Sequence, residues 1–121
     1  MLPLMKNYDN TVLIRDIEAV RPIPTSHNAG LKQVLLANEE SVSNITQIAQ
    51  TKLGAGECAS THTHADMEEC FLFLSGVGVM SIDDVDHDIL PGRFFRIPCG
   101  HSHQIKAITD IDFITIGVII N

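Results

Sequence analysis

Apolar and polar residues alternate over short stretches along most of this chain, and alternation with a period of two predicts β-strands. In the clearest stretch, 69–74, Phe71 and Phe73 share one strand face with Glu69, and two leucines occupy the other. Similar stretches, separated by Gly, Pro, Asp and Asn, predict strands at 12–17, 31–37, 44–53, 57–64, 69–74, 77–82, 85–90, 93–97, 102–108 and 111–120. About ten short strands with such turns indicate an all-β sandwich or barrel. Helices at 16–20 or 38–43 would lack a clear apolar stripe.

The length and composition fit one ordinary folded domain. We expect the 121 residues to form a single domain, 1–121, with an N-terminal strand and loop arm at 1–30 and a barrel at 31–121. A hydrophobic fraction of 45% with 19% charged residues allows a normal core. Cys58, Cys70 and Cys99 lack C-x-x-C spacing, so we interpret them as small, reduced residues that fill space.

The charge pattern excludes several classes of partner. The formal net charge is −7 and the basic residues are scattered singly, whereas a nucleic-acid interface needs clustered Lys and Arg. The same charge disfavours an anionic membrane surface, and no apolar run reaches the ~20 residues of a membrane helix. Residues 1–7 are too short in their apolar part for a secretory signal. We therefore expect a cytoplasmic protein whose partner is a small molecule.

The last predicted strand, 111–120, is apolar on both faces, whereas a strand with one face in water should alternate. Either the N-terminal segment covers its outer face or a second copy of the chain does. We expect a homodimer, because so small a barrel has little else to cover that face.

A histidine-rich stretch, 56–76, contains candidate metal ligands. His62 and His64 lie two residues apart, so on an extended chain they point the same way. The acidic pair Glu68 and Glu69 follows after a short turn, and alternation places Glu69 on the face that it shares with the phenylalanines. Two imidazoles and one carboxylate that converge on a point outline a metal site.

A second stretch, 92–103, repeats the histidine spacing. The sequence Pro98-Cys99-Gly100 predicts a tight turn between two strands, since proline fixes φ and glycine can adopt a positive φ. His101 and His103 follow, two residues apart, and one of them can face the same interior as the first histidine pair.

With both stretches in hand, the chain resembles the cupin family. The first cupin motif, G-x5-H-x-H-x3/4-E-x6-G, matches without a gap at Gly56, His62, His64, Glu69 and Gly76. The second, G-x5-P-x-G-x2-H-x3-N, matches at Gly92, Pro98, Gly100 and His103, with Ala107 in place of the final Asn. The resemblance implies a double-stranded β-helix, which is a small jelly-roll barrel. It also implies one divalent metal held by His62, His64, Glu69 and His103, with Glu69 rather than Glu68 as the acidic ligand.

Three imidazoles and one carboxylate leave coordination positions open for a substrate or water, and they suit Fe, Mn, Co, Ni, Cu or Zn better than Mg or Ca. The resemblance implies a small-molecule metalloenzyme, which we expect to be an oxidoreductase of the dioxygenase type. Two alternatives stay open: a metal-dependent module that binds a small ligand without turnover, and a sugar or keto-acid isomerase. No catalytic residue is assigned.

Residues in phase with the ligands are candidates for the lining of a pocket, although ordinary core packing explains them equally well. These candidates are Phe71, Phe73, Ile105 and Ala107, with His101 as a further candidate that an exposed turn would also accommodate. Gln47 and Gln50 lie in opposite phases, so one of them could face the pocket. His27, in a Pro/Gly loop, could reach a substrate, but we expect it to be exposed.

Overall fold

The structure, a computed structural model, describes residues 9–120; residues 1–7, considered above as a signal sequence, lie outside this range. Its strands are β1 (Ile23–Pro24), β2 (Leu31–Leu36), β3 (Ile45–Leu53), β4 (Cys58–His62), β5 (Met67–Ser75), β6 (Gly78–Ile82), β7 (Val85–Ile89), β8 (Phe94–Ile97), β9 (His103–Ala107) and β10 (Ile111–Ile119). Two single 3-10 turns, Ile17–Ala19 and Asn38–Glu40, are the helical elements of the described chain. In 9–120 there is no helix of the length and apolarity that a membrane span requires.

The strands form two antiparallel sheets that pack face to face. The larger sheet has the order β1-β2-β3-β10-β5-β8, and the smaller has the order β4-β9-β6-β7. This all-β architecture confirms the predicted jelly-roll fold. The core between the sheets is made of side chains from the inner faces of both, including the fully buried Phe73, Met80 and Ile89.

Strand β5 shows how the alternating pattern builds this core. Phe71 and Phe73 are 3% and 0% exposed, whereas Leu72 and Leu74 on the other face are 37% and 43% exposed. The strand lies between β10 and β8, so hydrogen bonds on both edges hold its register. Glu69 is therefore directed inward with the phenylalanines, as the period of two predicts.

The strand predicted at 12–17 is wrong. The chain there is irregular up to the turn at Ile17–Ala19, and Val12 and Ile14 are largely exposed. A strand needs a partner edge, but this segment of the arm is instead held by a side chain. Arg15 donates to the Leu35 carbonyl and to both carboxylate oxygens of Glu40, and these bonds hold the segment without a β-ladder.

Strand β10 is central in the larger sheet, between β3 and β5. Its outer-face residues Ile114 and Ile116 are half-buried. The Gln33 side chain on β2 donates to the Ile17 and Val20 carbonyls, so this part of the arm lies two strands away from β10. The homodimer stays a prediction.

Candidate metal centre

Four predicted ligands converge between the two sheets. His62 ends β4 and pairs across the small sheet with His103, the first residue of β9. Glu69 reaches the same point from β5 in the large sheet. His64 lies just beyond β4, where the Gly100 N–H donates a 2.7 Å hydrogen bond to the His64 carbonyl. This bond therefore joins a residue of the second motif to the loop that carries His64, a ligand from the first motif.

The side chains of this cluster are close enough to share one ion. One ligand atom from each of His62, His64, Glu69 and His103 lies within 4.8 Å of the others. Glu69 Oε1 lies 3.2 Å from His103 Nε2 and 3.8 Å from the Nε2 atoms of both His62 and His64. The carboxylate thus faces all three imidazoles, and three nitrogens with one oxygen suit a divalent transition metal.

The hydrogen bonds around the rings support a metal rather than an ordinary polar core. His62 Nδ1 lies 3.0 Å from the Ser60 carbonyl, and His103 Nδ1 lies 3.3 Å from the His101 carbonyl. A carbonyl can only accept, so Nδ1 is the donor in each pair, and with a metal bound each Nε2 would present its lone pair to the ion. The Nε2 atoms of His62 and His64 are buried and have no hydrogen-bond partner. A cation would satisfy both, so these residues fit the metal that the family implies.

The electrostatics of the cluster keep Glu69 ionised and oppose a charge on His64. Burial by itself would raise the pKa of Glu69, but His103 and His62 outweigh it and lower this pKa to about 2. Glu69 raises the pKa of His62 against the effect of burial, and their 3.8 Å separation makes this an electrostatic attraction rather than a hydrogen bond. Burial lowers the pKa of His64. Glu69 is therefore anionic and His64 neutral at neutral pH, as metal ligands must be.

A cavity of about 540 Å³, partly open to solvent, adjoins the cluster within the barrel. We call it the barrel cavity; His62 and Glu69 form part of its wall, and its other lining residues include Lys32, Gln47, Thr51, Phe71, Ile105 and Phe113. The wall is apolar on one side and polar on the side of β2 and β3.

The structure distributes the predicted pocket residues among three places. Phe71 and Ile105 line the barrel cavity, whereas Phe73 and Ala107 are fully buried in the core and are not part of its lining. His101 lies elsewhere: it is exposed and pairs with Asp83 in the β6–β7 turn. The reason is that His101 follows the Pro98–Gly100 turn and precedes β9, which begins at His103.

Of the two glutamines, Gln47 lines the barrel cavity. Gln50 is on the outer face, where its amide donates to Asp112 at 2.7 Å. Glu68 pairs with Val118 on the opposite face of β5 from Glu69, because adjacent residues of a strand point in opposite directions.

Two cavity residues were not found by sequence reasoning. His27 was expected to be exposed, but its ring stacks on that of His62, with centroids 4.1 Å apart and planes 8° from parallel. Burial lowers the pKa of His27, and the neighbouring His62 acts in the same direction. The other residue is Lys32, whose only signal in the sequence is a charged residue in the mainly apolar strand pattern of 31–37.

Comparisons with known proteins agree with the fold. The model of the Cupin domain matches residues 50–118, so the chain belongs to the cupin family. No match to a curated protein was found.

Several solved structures share the fold at low sequence identity. A predicted oxalate decarboxylase from Thermotoga maritima has a TM-score of 0.82 and 23% identity, over 89% of this chain and 100% of that one. Ectoine synthase from P. lautus has a TM-score of 0.78 and 14% identity, over 91% and 80%. A sugar phosphate isomerase from Silicibacter pomeroyi has a TM-score of 0.69 and 17% identity, over 85% and 73%. Their different activities on one fold mean that the reaction must be argued from the site.

Proposed function

We propose that this cupin is a small-molecule metalloenzyme that holds one divalent transition metal through His62, His64, Glu69 and His103. The observation that carries this proposal is the pair of buried, unpartnered Nε2 atoms that face a single carboxylate. Two such nitrogens without a cation would be costly to keep in a protein interior. The adjoining barrel cavity supplies room for a substrate beside the ligands.

The metal, when bound, would supply Lewis-acid or redox chemistry at the wall of the barrel cavity. The chain's own residues hold and orient the reactants. Glu69 supplies a negative charge that partly neutralises the cation. The Ser60 and His101 carbonyls keep the rings of His62 and His103 in the tautomer that presents Nε2. Phe71 and Ile105 exclude water from one side of the cavity.

For the reaction type, we propose an oxidoreductase of the dioxygenase type, supported by a donor set of three nitrogens and one oxygen that can hold redox-active iron. A second candidate is a non-redox isomerase, which the position of His27 favours. An imidazole that is neither a proposed ligand nor solvent-exposed stands beside the cavity and could transfer a proton.

Metal analysis and oxygen uptake distinguish these reaction types. Protein purified without chelator should contain iron, and it should consume oxygen with a member of a panel of catechols, thiols and diketones. Zinc, manganese or nickel with no oxygen uptake would favour the isomerase, and turnover of no substrate despite tight binding would favour a binding module.

The ligand set itself is tested by a matched pair of variants. Glu69→Gln keeps the side-chain shape but removes the charged ligand, so bound metal per chain should fall well below that of the wild type. Glu68→Gln removes the same charge from the neighbouring residue on the outer face and should leave the metal content unchanged. Equal metal content in the two variants would refute the assigned site.

We also propose that the outer face of the large sheet pairs with a second copy of the chain. Phe94, Leu72 and Ile114 form a row across three adjacent strands of this face. Phe94 is 59% and Leu72 is 37% exposed, which leaves a continuous apolar strip for a partner to cover. Gel filtration should give twice the 13.3 kDa monomer mass, and Leu72→Lys should shift the protein towards monomer. Elution of the wild type as a monomer at every concentration would refute the dimer.

A further inference from the structure

Lys32 places an ammonium group at the wall of the barrel cavity, whose lining mixes polar side chains with the apolar Phe71, Ile105 and Phe113. Its inward direction follows from the register of the large sheet: Lys32 pairs with Thr51, and Thr51 pairs with the buried Phe113. Among the lining residues of the barrel cavity, Lys32 is the only Lys or Arg. It also lines a second recess that includes His64, Glu69 and Gln47.

The ammonium group has no anionic partner within the described chain. Lys32 Nζ donates to Gln47 Oε1 at 3.3 Å, and none of the ion pairs among residues 9–120 includes Lys32. The amide of Gln47 is neutral, so it solvates the charge without balancing it. Because Gln47 Oε1 already accepts the hydrogen bond from Lys32, the Gln47 Nε2 remains as a second donor beside Lys32 Nζ.

The charges of the loaded site call for a negative ligand. Glu69 is the one carboxylate that lines the barrel cavity, and it already faces three imidazoles. A divalent cation together with Lys32 would outweigh that single negative charge. An excess of positive charge in a partly enclosed space favours an anion.

We propose that the barrel cavity binds the carboxylate group of a small organic acid, with Lys32 as counter-ion and Gln47 as second donor. This inference rests on the proposed metal-dependent function and specifies its substrate class. Two adjacent nitrogen donors match the two oxygens of a planar carboxylate. Phe71, Ile105 and Phe113 provide an apolar wall for the carbon skeleton. A phosphate, with more charge and more oxygens, would favour more than one cationic side chain, and Lys32 is the only Lys or Arg among the residues that line this cavity.

The test measures binding rather than turnover. Protein loaded with Co²⁺ is titrated by calorimetry with acetate, pyruvate and succinate, with their neutral amides, and with inorganic phosphate, while visible absorption checks that the cobalt stays bound. At least one carboxylate should bind more tightly than its amide. Lys32→Met, which keeps a long apolar side chain, should weaken that binding about 10- to 100-fold, as expected for loss of a hydrogen bond to a charged group.

Two variants serve as controls. Lys52→Met removes the same charge from the outer face of the neighbouring strand β3 and should leave carboxylate binding within about twofold of the wild type. Lys32→Arg keeps the charge and should retain most of the affinity. All variants should bind cobalt with the wild-type stoichiometry, since Lys32 is not one of the ligands.

Each failure has its own signature. Carboxylate affinity that is unchanged in Lys32→Met, amides that bind as well as carboxylates, or phosphate that binds more tightly than every carboxylate would overturn the substrate class while leaving the metal site intact. A wild-type protein that takes up no cobalt would refute the proposed function. The same titrations on that metal-free protein would still test whether Lys32 selects carboxylates over amides.

Discussion

Gly76, the final glycine of the first motif, should be the most sensitive glycine of that motif. Its φ is +84°, and a Cβ at this position would lie 2.0 Å from the Asp110 carbonyl oxygen. Gly92 in the second motif has nearly the same φ, +83°, but a Cβ there would meet no atom within 4 Å. A comparison of alanine substitutions at the two positions therefore separates the cost of backbone strain from the cost of steric conflict.

The expected magnitudes follow from these two geometries. Gly92→Ala should cost only the left-handed backbone strain of a residue with a Cβ, about 1–2 kcal/mol. Gly76→Ala should add about 1–3 kcal/mol for overpacking. The conflict cannot be relieved by a side-chain rotation, because the opposing atom belongs to the backbone. Asp110 is also held in place where its Oδ1 accepts the Ala55 N–H at 2.8 Å.

Urea unfolding of both variants, with metal removed by a chelator, measures the difference. The free energy of unfolding should decrease more for Gly76→Ala than for Gly92→Ala, by about 1–3 kcal/mol at equal m-values. Equal losses in the two variants would show that the close approach of the Asp110 carbonyl does not affect the free energy of unfolding. A loss larger for Gly92→Ala would refute the reasoning altogether.

Three further predictions concern the metal, the pH and the core. Removal of the metal should lower the free energy of unfolding in urea by about 2.7 kcal/mol when the free metal was at 100 times its Kd, and no change would contradict a native-state site. In metal-free protein, the lowered pKa of Glu69 adds about 3 kcal/mol to the free energy of unfolding. This contribution is fully present above the ordinary carboxyl pKa of 4.5 and is lost as the pH falls towards about 2. Urea unfolding across this range should show the loss in the wild type, and an equal loss in Glu69→Gln would contradict it. Phe73→Ala, at a fully buried position, should cost about 3–5 kcal/mol in the same assay, whereas Phe94→Ala, 59% exposed, should cost much less.

Much of the fold was predictable because strand alternation is a local property. The pattern along β5 identified Phe71 and Phe73 as core residues and assigned Glu69 to their face, since side chains of a strand must alternate whatever surrounds them. The motif spacing brought His103 into the same set as His62. The structure gathers these side chains in one cluster, although they come from both sheets.

The failed strand prediction has a different cause. Residues 12–17 have a strand-like composition, but a strand forms only beside an available edge, and this segment is instead held by Arg15. His101 has the same two-residue spacing as the ligands, but it precedes β9 and pairs with Asp83 in the exposed position that the sequence also allowed. In both cases a local pattern was present, and its surroundings decided the outcome.

The sequence by itself determined the strands, the faces of their side chains and the set of candidate ligands, because these depend on spacing along the chain. Only the tertiary structure decided what surrounds the cluster. His27 reaches His62 because its carbonyl accepts the Ser60 N–H, a contact between residues far apart in sequence. Lys32 faces the barrel cavity because the pairing of β2 with β3 sets which side of β2 is interior. For a strand such as β2, which has no clear alternation of apolar and polar residues, long-range packing decides which face is the inner one.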